Sequence, residues 1–227
     1  MKALVLLSGG LDSSTLLALA VEKYGADEVL ALSVLYGQKH KKELDAAKNV
    51  ANYYKVSHKI LDLTPIFSDS KCSLLEHSDE EIPHEEYASQ LKKTNGAPVS
   101  TYVEFRNGLF LSSAASIALS NGCDEIYYGA HSDDTAGNAY PDCSTEFVAA
   151  MDKAIFLGSG EALHIYAPFE KLNKAGVVKE GLKLKVPYEL TWSCYEGNDK
   201  PCMVCGTCRD RIRAFELNGV KDPLLNM

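Results

Sequence analysis

Apolar positions fall in short unbroken runs that alternate with stretches of helical period, the pattern of a parallel sheet covered by helices on both faces. Ala3-Leu4-Val5-Leu6-Leu7 predicts a central strand buried on both sides, and Leu16, Leu17, Ala20 and Val21 mark the helix after it, which Gly25 ends. Residues 28–35 predict a second strand, Leu44, Ala47, Ala51 and Tyr54 one face of a second helix, and residues 57–61 a third strand. From Thr64 to Ser100 the pattern weakens, with Pro65, Pro83, Pro98 and the acidic cluster Asp79-Glu80-Glu81. A stretch of that length suits a lid, a small inserted helical element or a mobile segment. Regular structure resumes at Tyr102–Gly108, and residues 109–118 predict a helix apolar nearly all round and hence buried. A strand at 125–130, a polar loop from His131 to Cys143, a helix near 144–157, a strand at 164–167 and a helix near 174–184 follow. The fold class is therefore α/β, a Rossmann-like parallel sheet with right-handed crossovers. Its ligands belong beyond the carboxyl ends of the strands. Residues 1–190 read as one α/β domain and 191–227 as a tail packed on it.

The first strand-to-helix turn carries the chemistry. Ser8-Gly9-Gly10-Leu11-Asp12-Ser13-Ser14 brings backbone N–H groups and a helix N-terminus to one spot, which favours a multiply charged anion. Adjacent glycines let that anion approach the backbone. Ser8, Ser13 and Ser14 add hydroxyl donors, and Asp12 can orient the loop or hold a phosphate-bound Mg²⁺. Neither the Gly-Lys-Ser/Thr of a Walker loop nor the third glycine of a dinucleotide fingerprint is present. Tyr36-Gly37-Gln38-Lys39-His40 falls at the carboxyl end of the second strand, where its backbone can line an adenine pocket.

Composition narrows the partners. A formal charge of −8 argues against a broad basic face for nucleic acid. No apolar run reaches membrane-spanning length, and the one after Met1-Lys2 is too short for a signal segment, so the expected location is cytoplasmic. Four of the seven cysteines, Cys194, Cys202, Cys205 and Cys208, are spaced C-x7-C-x2-C-x2-C. Four thiolates in so short a window suit a tetrahedral ion, with structural Zn²⁺ the leading reading and an iron–sulfur cluster the main alternative. Arg209, Arg211 and Arg213 are near enough in sequence to offset the thiolate charge, while the scattered Cys72, Cys123 and Cys143 read as small core residues.

Ser-Gly-Gly-x-Asp-Ser after a first strand resembles the pyrophosphate-binding loop of the ATP pyrophosphatases, which have the adenine-nucleotide alpha hydrolase type of fold. Together with Tyr36–His40, Tyr140-Pro141-Asp142-Cys143 and the four-cysteine tail, the chain resembles the 7-cyano-7-deazaguanine synthase family over essentially its full length. The resemblance implies conversion of 7-carboxy-7-deazaguanine, ammonia and ATP to the nitrile in queuosine biosynthesis, with one zinc per subunit, Mg²⁺ on the nucleotide and a homodimer. By position it puts ATP on Leu7, Ser8, Gly9, Gly10, Leu11, Asp12, Ser13, Ser14, Thr15, Leu16 and Leu17, and zinc on the four tail cysteines. Two departures fall where the base should bind. Glu104-Phe105 stands before Arg106-Asn107 where members commonly have Pro-Gly, and Gly137-Asn138-Ala139 precedes Tyr140 in place of a shorter loop.

Nitrile formation from a carboxylate needs its oxygen converted to a leaving group, and transfer of AMP does this. The protein then mainly positions and neutralises charge. Arg106 and Lys174 are the candidates to bridge the α-phosphate and the substrate carboxylate, with Asp12 beside them and Lys39 and His40 behind. A carboxylate of the 131–143 loop, Asp133, Asp134 or Asp142, with Tyr140 alongside and Glu104 as the outside candidate, would read the two adjacent donors of a guanine-like base. The competing readings are an ATP pyrophosphatase adenylating a different carboxylate or a tRNA base, an amidotransferase-type synthetase and a non-catalytic nucleotide sensor. The acidic balance opposes a tRNA enzyme, and the length leaves no room for a glutaminase module.

Overall fold

Ala3–Leu6 (β1) occupies the middle of a five-stranded sheet. With Val29–Leu35 (β2), Ser57–Asp62 (β3), Glu125–Tyr127 (β4) and His164–Tyr166 (β5), it forms the parallel order β3-β2-β1-β4-β5. The computed structural model describes residues 1–39, 42–82, 98–135, 140–196 and 199–226. The helices are α1 (Leu11–Tyr24), α2 (Lys42–Tyr54), α3 (Arg106–Ser120), the short α4 (Ser132–Thr135), α5 (Thr145–Gly158), α6 (Lys174–Lys183) and α7 (Gly206–Leu217).

Side chains alternate across a strand, so a run without polar residues must be covered on both faces. Ala3 and Val5 point to one layer, packed with Leu16 and Leu17 of α1, Val50 of α2, Val177 of α6 and Phe215 of α7. Leu4 points to the other, with Leu111 and Ala114 of α3 and Val148 and Ile155 of α5. The edge strands lack this cover: β3 and β5 are largely exposed.

Chain direction sets the crevice. From β1 the chain crosses to β2 on one side, and after β3 it passes to β4 on the other side of β1. The carboxyl ends of β1 and β4 therefore part at a topological switch point, where open α/β sheets bind ligands.

Two elements differ from the sequence pattern. Helix α3 starts at Arg106 and is buried on one face only; Ser112, Ser116 and Leu119 are exposed. Leu119, 43% exposed, lies on the outward side, so an apolar residue at helical spacing here is surface. The 131–143 loop contains α4 and a 3₁₀ turn at Pro141–Cys143. Within the weakly patterned region residues 83–97 lie outside the described residues; Thr64–Phe67 is a 3₁₀ turn, and Phe67, Leu74 and Leu75 pack on Tyr36 and Val103.

Candidate active site

The Ser8–Ser14 turn is closed by its own side chains. Ser13 Oγ accepts from the Ser8 N–H at 3.2 Å, the two hydroxyls lie 3.0 Å apart, and Ser8 Oγ accepts from the Gly10 N–H at 3.2 Å. Gly9 has φ +91°, and a Cβ there would collide with the Glu43 carbonyl oxygen and the Ala47 nitrogen of α2, so only glycine fits. Among the described residues no side chain caps α1, whose N-cap is Gly10, and its first turn borders a cavity of about 280 Å³. A helix N-terminus left uncapped at a cavity favours an anion.

Leu7, Ser8, Gly10, Leu11, Asp12 and Ser13 line that cavity. Ser14, Thr15, Leu16 and Leu17 do not; all four are fully buried. The leucines join the core, and Thr15 hydrogen-bonds the Tyr188 hydroxyl at 2.8 Å. Beyond Ser13 the span 7–17 turns into the core, because the helical turn carries its next residues under the sheet layer; before it Gly9 is off the wall, and Leu7 and Leu11 border the cavity while packing in the core.

Elements distant in sequence place charges on the same wall. Lys174 opens α6, where Asn173 caps the helix by accepting from the Gly176 N–H at 2.9 Å. Its Nζ lies 3.4 Å from Asp12 Oδ2, and His131 Nε2, at the end of β4, lies 3.6 Å from the same oxygen. Burial would push the Asp12 carboxyl up, but Lys174 and His131 outweigh it and hold the group well below the usual carboxylate range. Asp12 Oδ1 is buried with no hydrogen-bond partner among the described residues.

Arg106, at the start of α3, donates to the Tyr36 hydroxyl at 3.4 Å and lies over the Tyr36 and Phe110 rings at 5.2 and 5.7 Å. Glu43 of α2 also faces the cavity; burial pushes its carboxyl up to about 7, against the lowering influence of Arg106. His131 and Glu43 carry no local sequence signature. A strand's carboxyl end marks the first only after the sheet order is known, and the second is one acid on an amphipathic helix.

The remaining candidates spread out. Asp133 is on the wall, but its Oδ2 accepts from the Lys174 N–H at 2.8 Å. Asp142 is off the wall and buried; its Oδ2 accepts from the Asn107 N–H at 2.9 Å, serving the N-terminus of α3. Tyr140 lines the cavity with its hydroxyl 2.7 Å from Thr101 Oγ1. Lys39 points elsewhere, donating to the Glu80 carbonyl at 3.1 Å. His40, the Asp134 side chain and Gly137–Ala139 lie outside the described residues.

Glu104 and Phe105 are exposed and off the wall. Glu104 Oε2 accepts from the Ser70 hydroxyl at 2.6 Å. Phe105 has φ 54°, the left-handed conformation glycine adopts freely, and its ring meets Phe147 edge-on at 5.7 Å.

The four tail cysteines converge, with their sulfurs all within 4.8 Å of one another. Four sulfurs about 2.3 Å from a common ion sit roughly 3.8 Å apart, so the cluster fits a metal after slight contraction. Backbone N–H groups of Cys202 and Cys205 donate to the sulfurs of Cys194 and Cys202, both at 3.3 Å, and stabilise negative sulfur. Arg211 does not take the compensating role expected from its position. It is buried and turned to Asp222, with Nε and Nη2 donating at 2.6 and 2.9 Å, while Arg209 and Arg213 are exposed. The tail also reaches the Ser8–Ser14 turn: the Trp192 N–H donates to the Gly9 carbonyl at 2.9 Å, and Ser193, Tyr195 and Thr207 line the cavity.

Residues 2–219 match the family described as Queuosine biosynthesis protein QueC. The chain belongs to the QueC family. Among QueC relatives, the 7-cyano-7-deazaguanine synthase of Archaeoglobus fulgidus is 46% identical over 227 residues, covering all of this chain and 90% of the relative. That of Caldicellulosiruptor saccharolyticus is 45% identical over 224 residues, 99% of this chain and 95% of the relative. Solved structures with the same fold include the NMN synthetase of Francisella tularensis, with TM-score 0.53 and 17% identity over 97% of this chain and 78% of that one. Another is the U34-tRNA thiolase NcsA of Methanococcus maripaludis with its [4Fe-4S] cluster, with TM-score 0.50 and 18% identity over 96% of this chain and 66% of that one.

Proposed function

We propose that this member of the QueC family converts 7-carboxy-7-deazaguanine and ammonia to 7-cyano-7-deazaguanine at the expense of ATP, through an adenylated carboxylate and an adenylated amide. The observation that carries the reading is that the uncapped N-terminus of α1, Lys174 and Arg106 all face one cavity at the sheet's switch point. The phosphates of ATP would lie on residues 7–13. Lys174, held by Asp12, would neutralise charge at the α-phosphate, and Arg106 would hold the substrate carboxylate. The carboxylate oxygen attacks the α-phosphorus and pyrophosphate leaves. Ammonia then displaces AMP to give the amide. A second adenylation at the amide oxygen, loss of AMP and loss of two N–H protons give the nitrile.

Mg²⁺ would enter with the nucleotide, and the unpartnered Oδ1 of Asp12 is a carboxylate oxygen available to it. Zn²⁺ on Cys194, Cys202, Cys205 and Cys208 would be structural, since protein sulfurs fill all four positions. Residues 191–227 would then act as a tail completing the α/β domain of 1–190.

The test is a mass-spectrometric assay with 7-carboxy-7-deazaguanine, ATP and ammonium. A product lighter than the acid by the difference between carboxyl and nitrile is expected, with AMP and pyrophosphate released. Pyrophosphate without nitrile would assign the chain to a different acceptor, and no turnover of ATP would remove the catalytic reading.

A further inference from the structure

Glu43 is a cavity-wall carboxylate that the adenylation chemistry leaves unused. Among the described residues no hydrogen bond or ion pair engages it. The other wall carboxylates are occupied: Asp12 by Lys174 and His131, Asp133 by the Lys174 N–H, and Asp210 by an interaction of its own. Packing fixes the α2 backbone from which it projects, because the Glu43 carbonyl lies against Gly9, where not even a Cβ could be admitted. The titratable and charged groups around it on the wall are Arg106 of α3, Tyr36 after β2, Tyr195 of the tail, and the Asp12–His131–Lys174 group at the loop.

Resting on the reaction proposed above, we infer that Glu43 is the ammonium site: it binds NH₄⁺ through its carboxylate and takes the proton that must leave before nitrogen can attack. At neutral pH nearly all ammonia is protonated, and the cation has no lone pair to donate. A site for it needs an anion without a protein cation already paired to it, beside the reacting carbon. Glu43 meets both conditions if Arg106 holds the substrate carboxylate. The proton passes from NH₄⁺ to Glu43. The freed lone pair forms the C–N bond, the C–O bond to AMP breaks with its electrons leaving on AMP, and a second proton departs to give the amide. With its carboxyl pushed up to about 7 by burial, Glu43 is a stronger base than an exposed carboxylate and is ionised above neutrality.

The test compares ammonium with hydroxylamine, which is already a neutral nucleophile at the assay pH and yields the hydroxamate from the same adenylate. Wild-type protein should form nitrile with the first and hydroxamate with the second; failure of both would overturn the reaction itself. Glu43→Gln should lose about tenfold or more in kcat/KM for ammonium, with KM for ATP unchanged and the hydroxamate rate within about twofold of wild type. Raising the pH, which supplies free ammonia, should narrow the ammonium defect, and Glu43→Asp should restore part of it. Equal loss with both nucleophiles, a raised Mg²⁺ requirement with both, or ammonium kinetics unchanged from wild type would each overturn the ammonium site.

Discussion

At the scale of single residues, Glu43 opposes the fold that positions it. Its carboxyl titrates at about 7 in the folded protein against 4.5 when unperturbed. The folded state therefore holds a proton that the unfolded chain has already lost between those values. The sign follows: its contribution is complete below pH 4.5, declines as pH rises toward 7, and is constant above. Glu43→Gln should thus be more stable than wild type at pH 8, by at most about 3 kcal/mol given the partial exposure of the group, with no gain at pH 4. Urea unfolding at the two pH values measures this, and an equal effect at both would show that burial is not what shifts the carboxyl. The sequence marked Lys174 and Arg106 only by their nearness to motifs, and the structure puts both on the cavity wall. Glu43 and His131 were not legible, because their significance comes from elements that meet only after the sheet assembles. Asp142 illustrates the converse: it sits in a family motif, yet one of its oxygens serves a helix end.

At the scale of elements, β1, β2 and β3 follow from the sequence to within one residue at their ends; for β1 and β2 burial leaves an unbroken apolar run, while the exposed edge strand β3 was legible only from its place after the second helix. Past residue 100 the helix near 144–157, the strand at 164–167 and the helix near 174–184 also fall within one residue of Thr145–Gly158, His164–Tyr166 and Lys174–Lys183, while the strand at 125–130 ends early at Tyr127 and α3 begins before its apolar run. Phe105, the left-handed residue just before α3, is not a glycine that would announce the turn, and α4 is a single turn too short to carry a period. The convergence of the four C-terminal cysteines was legible, but the segment's contact with Gly9 was not, since a backbone hydrogen bond across 183 positions leaves no side-chain mark. That contact yields a prediction. Removing metal with a chelator, or replacing Cys205 by Ser, should lower stability by at least about 3 kcal/mol, a fall in Tm of roughly 6–12 °C, because structural metal binding is folding free energy. ATP affinity should fall with it. Calorimetry and nucleotide titration check the pair; stability kept after metal loss would remove the structural role, and ATP binding kept despite destabilisation would remove the link to the loop.

At the scale of the whole molecule, the closing contact is the buried pair of Arg211 and Asp222. Arg211 also donates to the Tyr188 carbonyl at 3.1 Å and to Thr191 Oγ1 at 2.7 Å, tying α7 to the segment that leads into the cysteines. Asp222→Asn removes the counter-charge and leaves a guanidinium uncompensated in the interior, a change worth about 3–5 kcal/mol. Thermal unfolding should then fall by roughly 6–20 °C. A shift of no more than a degree or two would mean that water replaces Asp222. The hydrogen bond from Trp192 to Gly9 has a further bearing on how the protein is made. Translation runs from the N-terminus, so all five strands and the glycine turn leave the ribosome before Trp192 does. A nascent chain cut short of Trp192 would have the sheet's strands and a turn closed by its own serines, but not the hydrogen bond that ties the turn to the C-terminal segment.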